Sequence, residues 1–192
     1  PTVVTDELGV ALGLVYSSAD SVRKAIEDRR GVYHSRSRGL WVKGETSGAT
    51  QQLLRVDADC DRDALRFTVR QRGQGFCHRE TRTCWGHDRG LGALERRLAD
   101  RLEEAPEVSY TARLASEPEL LADKLSEEAR EMGDASAREE VVWEAADLVY
   151  FTAAKIASQG VDVADVMAEL DRRGLTVRRR DGSRTFGGGE EA

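Results

Sequence analysis

Four aspartates, Asp57, Asp59, Asp61 and Asp63, alternate with other residues around Cys60, directly after the apolar run Leu53 to Val56. A turn after a strand needs one aspartate or two, because an Asx side chain bonds its own nearby backbone. Four of them beside a thiol ask for cations. Cys77 and Cys84 follow, and the chain has 3 cysteines in all. An odd number cannot close into a complete set of intramolecular disulfides, which favours a reducing compartment. A structural zinc site takes four protein ligands, whereas a catalytic one keeps three and leaves the fourth position for water. Three clustered cysteines match the open kind; His78 is available as a fourth ligand, and three inert buried thiols are the alternative.

Two acidic pairs share one spacing, Glu128 with Glu131 and Glu144 with Asp147. On a helix, residues three apart occupy one face. If the two helices pack antiparallel, the pairs meet in a four-carboxylate pocket suited to Mg²⁺, which prefers oxygen ligands and bridges to phosphates. A solvated acidic face is the competing description. Against it, Glu144 and Asp147 sit among Val141, Trp143, Ala145, Ala146, Leu148 and Val149, where burial without a cation would be costly. In residues 35–48, Arg36, Arg38 and Lys43 supply positive charge, while Gly44, Thr46, Ser47 and Gly48 offer hydroxyls and backbone N–H groups, the ingredients of a phosphate cradle. The order of glycine and lysine is not that of a Walker loop, and read alone the segment is a basic turn.

The elements that must position these groups fall into two kinds. Residues 1–18 hold two apolar runs joined by Asp6 to Gly9, a hairpin signature. A short helix follows, capped by Ser18 or Asp20, with Val22, Ala25 and Ile26 on one side and Gly31 at its end. β-Branched and aromatic positions broken by glycines then lead to residues 64–71, which alternate as a half-buried strand does. Beyond Gly90 the period becomes helical. Leu91, Leu94, Leu98 and Leu102 form one stripe, stopped by Pro106. A second helix starts near Pro118, with Leu120, Leu121 and Leu125 apolar and Glu127, Glu128 and Glu131 following. A third spans residues 137–157 with Val141, Val142, Ala145, Leu148, Val149 and Ile156 apolar; after Gly160 a fourth carries Val163, Val166, Met167 and Leu170. The pattern predicts an α+β chain: a strand-rich domain over residues 1–89, an all-α domain over 90–175, and a polar tail or linker over 176–192 too poor in apolar groups to fold alone.

At 192 residues the chain can bury one large core or two small ones. Lys and Arg number 15 against 12 acids in residues 1–90, and 14 against 23 in residues 91–192, within a net charge of -6. Two differently charged halves suggest two domains, the basic one able to meet phosphates and the acidic one divalent cations. The arginine-rich residues 178–184 could touch nucleic acid, but the acidic bulk beside them and the lack of interleaved aromatics argue against such a partner. No apolar run approaches the ~18 residues of a membrane span, and no export leader opens the chain, so a cytoplasmic protein without a membrane partner is expected.

Taken together, residues 35–48 (SRSRGLWVKGETSG), Asp59 to Asp63 (DCDRD), the Cys77-His78 pair and the later Thr83-Cys84-Trp85 resemble the phosphoribosyl-AMP cyclohydrolase family. Residues 109–114 (SYTARL), 124–131 (KLSEEARE) and 144–151 (EAADLVYF) resemble phosphoribosyl-ATP pyrophosphohydrolase. The order is that of the fused bifunctional enzyme of histidine biosynthesis, over about residues 1–172. Details such as GLVYSS, GVYHSRSRGLW and SGATQQLLRV are similar to the matching region of the fungal three-activity proteins, which continue into a histidinol dehydrogenase that this chain is expected to lack. Trp85 stands where phenylalanine is usual, and HRETRT replaces a commoner threonine-glycine stretch; neither change removes a ligand.

The resemblance implies zinc on Cys60 of one subunit and Cys77 with Cys84 of the other, magnesium on Asp59, Asp61 and Asp63, and a homodimer. Alternation along an extended segment would then send Cys60 to one side and the aspartates to the other, sorting a soft from a hard metal. His78 is a candidate for proton transfer, or for orienting its loop. In the helical half the resemblance implies Mg²⁺ on Glu128, Glu131, Glu144 and Asp147, with Lys124 steadying pyrophosphate or merely pairing with a neighbouring glutamate. The substrates implied are phosphoribosyl-ATP and phosphoribosyl-AMP. The alternatives are a general nucleotide pyrophosphohydrolase with only the helical half active, and a non-enzymatic dimeric module clipped by zinc.

Overall fold

The computed structural model describes residues 1–104 and 106–175, so the expected tail lies outside the described residues. Strands β1 (Thr2–Thr5) and β2 (Ala11–Val15) pair antiparallel. Asp6 builds their turn: its carboxylate accepts the N–H of Leu8 at 3.1 Å and of Val10 at 2.9 Å, and Gly9 takes a φ of 79° that suits glycine. β1 runs parallel to β6 (Leu65–Gln71), and β6 antiparallel to β5 (Gln51–Ala58), giving the order β2-β1-β6-β5. A smaller sheet pairs β3 (Val32–Ser35) with β4 (Gly39–Val42).

Between the hairpin and β3 lies helix α1 (Ala19–Asp28), with Ser18 and Ser21 exchanging bonds in a capping box. It ends at Arg29, in a left-handed conformation, two residues before the expected stop. Gly31 has a different use, since Gln51 fills the space of its missing side chain. Ser21 and Ala25 form the buried face of α1, while Ile26, expected there, is 56% exposed. Val4, Leu12, Val32, Tyr33, Phe67 and Val69 are fully buried in one cluster. Tyr33 stacks at 5.8 Å from Trp41 and 5.6 Å from Phe67, and its hydroxyl donates to Gln51 Oε1 at 2.5 Å. Gln51 passes the chain on to Gln71 at 2.8 Å, so the buried polar groups of this core satisfy one another.

One expectation fails here. β5 stops at Ala58, and residues 59–64 form a tight loop closed by paired bonds between Asp59 and Ala64 (3.0 and 3.1 Å), with Arg62 at a φ of 64°. The aspartates are therefore gathered by loop curvature and not sorted by strand alternation.

The second half is helical throughout: α2 (Leu91–Leu102), α3 (Tyr110–Ser116), α4 (Pro118–Asp134), α5 (Arg138–Ser158) and α6 (Val163–Leu175). α2 ends before Pro106, in a tight turn where Glu103 and Glu104 donate to the carbonyls of Asp100 and Arg101. Helix α3 was not expected; Ser109 caps it by accepting from Ala112 N–H, and Leu114 is fully buried. Leu121 of α4 meets Phe151 of α5 in one cluster, while Glu131 of α4 lies beside Glu144 of α5, so the two helices run antiparallel. Leu98 packs with Ala153 and Ala154 in another cluster. Several apolar positions turn outward instead: Val142, Trp143 and Val149 on α5, and Met167 and Leu170 on α6, are exposed. No helix among the described residues is long and apolar enough to cross a membrane.

The halves meet where Leu8 packs against Gly92 of α2 and through ion pairs beside it. Arg70 of β6, held by Glu7 at 3.0 Å, reaches Asp162 at 3.2 Å, and Arg96 of α2 pairs with Asp88 at 2.7 Å.

Candidate active sites

Cys77 and Cys84 sit at the two ends of a small loop folded back on itself. Phe76 N–H donates to Arg82 O at 3.2 Å and Cys77 N–H to Thr81 O at 3.1 Å, an approach possible because Gly75 offers no Cβ to the backbone of Thr81 and Arg82. Cys84 N–H donates to Leu12 O at 2.8 Å, which pins the loop to β2. The Arg79 N–H, followed by Thr81 and Cys84, holds the Cys77 thiol below its usual pKa; burial, followed by its neighbour Cys77, pushes Cys84 up. A pair with one sulfur ready to ionise suits a soft or borderline cation. His78 is exposed, its Nδ1 3.9 Å from Cys77 Sγ. Cys60 is exposed on the β5–β6 loop, and it forms no three-ligand cluster with the other thiols among the described residues of this chain. Beside it, the carboxylates of Asp59, Asp61 and Asp63 lie within 4.8 Å of one another, all exposed.

Next to the thiol loop opens a cleft of about 690 Å³. Arg36, Arg38, Ser35 and Ser37 form its polar side, Val15, Tyr16 and Trp41 its apolar side, and His34 and His78 both line it. Tyr16, His34 and Trp41 were not singled out from the sequence. A backbone bridge, His34 N–H to Tyr16 O at 2.7 Å, brings two of them together, a long-range pairing that composition does not reveal. Thr46 and Ser47 stand exposed in the turn after β4, where Gly44 (φ 80°) packs its backbone against Ala49 and Thr50 too closely for a Cβ. Lys43 is buried, its ammonium 5.5 Å from the Phe76 ring; burial lowers its pKa, and the charges of Cys84 and Cys77 oppose that.

In the helical half, Glu128, Glu131 and Glu144 bring carboxylate oxygens within 4.8 Å of one another across the α4–α5 seam. Glu128 is only 6% exposed. Burial raises its pKa first, then the charges of Asp147 and Glu131; burial, Glu131 and Asp147 raise Glu144 in the same way. Asp147 thus belongs to the cluster's field while lying outside its tightest trio. Acids forced together in partial burial fit a hard divalent cation with oxygen ligands. Lys124 bonds Glu127 at 2.6 Å and lies 4.0 Å from Glu128, so most of its charge is already engaged on its own helix.

Comparison with known proteins follows the same division. Residues 13–86 match the family model of phosphoribosyl-AMP cyclohydrolase, and residues 91–174 that of phosphoribosyl-ATP pyrophosphohydrolase. The histidine biosynthesis bifunctional protein his7 of Schizosaccharomyces pombe is 52% identical over 181 residues, covering 94% of this chain and 43% of that protein. A histidine biosynthesis trifunctional protein of Neurospora crassa is 50% identical over 182 residues, covering 95% of this chain and 21% of its own length. The chain therefore spans less than half of these two relatives. The histidine biosynthesis bifunctional protein HisIE of Aquifex aeolicus, 34% identical, is matched over 90% of this chain and 93% of its own length. The chain belongs to the family of bifunctional histidine biosynthesis proteins that join a phosphoribosyl-AMP cyclohydrolase region to a phosphoribosyl-ATP pyrophosphohydrolase region.

Proposed function

We propose that this chain performs two consecutive hydrolyses of histidine biosynthesis in the cytoplasm. Residues 90–175 convert phosphoribosyl-ATP to phosphoribosyl-AMP and pyrophosphate, and residues 1–89 open the adenine ring of phosphoribosyl-AMP. What carries this reading is the half-hidden acid cluster at the α4–α5 seam, a costly arrangement unless a cation and a polyphosphate complete it.

Glu128, Glu131, Glu144 and Asp147 would hold magnesium, which when bound would supply charge neutralisation for a triphosphate and an activated water. Lys124 steadies the departing pyrophosphate by exchanging Glu127 for a phosphate oxygen. In the other half, Cys77 and Cys84, joined by Cys60 of the partner subunit, hold zinc, which when bound supplies a water made nucleophilic near neutral pH. Asp59, Asp61 and Asp63 hold magnesium. Arg36 and Arg38 take the substrate's phosphate at the mouth of the cleft, and no ion pair competes for either guanidinium among the described residues. His78 moves the proton from the attacking water to N1 as oxygen adds at C6 and the N1–C6 bond breaks. A homodimer suits the surface: Leu14, Tyr16 and Trp85, near the thiols, are each more than half exposed.

The test follows phosphoribosyl-ATP to the ring-opened product in the intact chain, Cys77→Ala and Glu144→Ala. The cysteine variant should accumulate phosphoribosyl-AMP, and the glutamate variant should leave phosphoribosyl-ATP unconsumed. Loss of the same step in both would overturn the division of labour.

A further inference from the structure

Lys43 follows β4 and is 7% exposed, although lysine is almost never buried unless paired. Its N–H donates to Gly31 O at 2.8 Å, which fixes the residue beneath the surface turn of residues 43–48. The ammonium lies over the ring of Phe76, the residue preceding Cys77. A buried ammonium without counter-charge costs several kcal/mol. Among the described residues, the charges that act on Lys43 are those of Cys84 and Cys77, with no carboxylate in their place. The sequence grouped Lys43 with Arg36 and Arg38 as a phosphate ligand, but those two line the open cleft while Lys43 is buried with its ammonium over the Phe76 ring.

We propose that Lys43 is a positioning residue of the thiol centre: its buried ammonium supplies the counter-charge that lets Cys77 and Cys84, with a third thiolate, hold a divalent ion. Three thiolates around a divalent cation leave one net negative charge, and a single fixed ammonium cancels it. The Phe76 ring itself attracts the cation through its face. The inference rests on the zinc reading given above.

Zinc affinity of the intact chain, measured by chelator competition with zinc alone, tests it in the wild type, Lys43→Met and Lys43→Arg. KM for phosphoribosyl-AMP and the thermal melt are recorded alongside. Lys43→Met, which keeps the apolar stem and removes the charge, should weaken zinc binding by about 10- to 100-fold, the range typical of residues supporting metal ligands, with KM little changed. Lys43→Arg should recover most of the affinity. Unchanged zinc affinity in Lys43→Met together with a raised KM would overturn the proposal and make Lys43 a phosphate ligand. Equal loss in both variants would overturn it as well, because charge would then not be what matters. A wild-type chain that takes up no zinc would sink the thiol centre itself, a failure distinguishable from either of these.

Discussion

The ring of Phe76 occupies the space that a side chain on Gly13 would need, so β2 and the thiol loop touch ring to backbone. Gly13→Ala should therefore overpack this contact and destabilise the fold by ~1–3 kcal/mol. Because Phe76 precedes Cys77, zinc retention should fall with stability. A urea midpoint equal to that of the wild type would show that the ring can move aside.

The acids of the helical half give a pH dependence of defined sign. Glu128 and Glu144 have folded-state pKa values raised above the ordinary 4.5 by burial and mutual repulsion. The folded state thus binds more protons than the unfolded one just above that value, and metal-free stability falls as pH rises through the raised values. Magnesium should reverse this, since it replaces the protons. The rise in melting temperature on adding magnesium should be larger at about pH 8 than at about pH 5, and Glu144→Gln should shrink the difference.

Arg36 and Arg38 line the cleft with guanidiniums that no described carboxylate engages. Replacing either by alanine should remove a charge-assisted bond of ~1.5–3 kcal/mol and raise KM for phosphoribosyl-AMP about tenfold or more. Consumption of phosphoribosyl-ATP, assigned above to the other half, should continue. Steady-state kinetics of each step separately checks both expectations.

Helix α6 is capped in trans: Glu95, from α2, accepts the Val163 N–H. Glu95→Ala should cost ~0.5–2 kcal/mol, as loss of an N-cap does, with hydrogen exchange rising first at the start of α6. Uniform exchange across all helices would contradict this.

Local signals carried much of the architecture. Ser18 caps α1 and Asp6 to Gly9 turns the hairpin, because capping and turn chemistry act within four residues. The spacing that puts Glu128 beside Glu131 on α4 is equally local, and the apolar seam of α5 brought Glu144 to face them. Features fixed by distant contacts were not legible. The cleft wall of Tyr16, His34 and Trp41 needs β2 to approach β3, and the burial of Lys43 needs Phe76 to fold over it. Helix α3 has 7 residues, too few for a period to declare itself. Trp143 and Val149 read as core residues but turn outward, because hydrophobicity marks what shuns water and does not say which molecule covers it.

Each buried apolar cluster among the described residues draws on one half of the chain, whereas the seam between the halves holds the small contact of Leu8 on Gly92 and the partly exposed ion pairs Arg70–Asp162 and Arg96–Asp88. Such pairs are worth at most ~1 kcal/mol and weaken with salt. A polypeptide severed between Gly86 and Leu91 would leave both fragments with a complete interior, and their reassociation would follow ionic strength. Fusion here acts as a tether that keeps two self-sufficient modules in each other's company, not as a condition for either to fold.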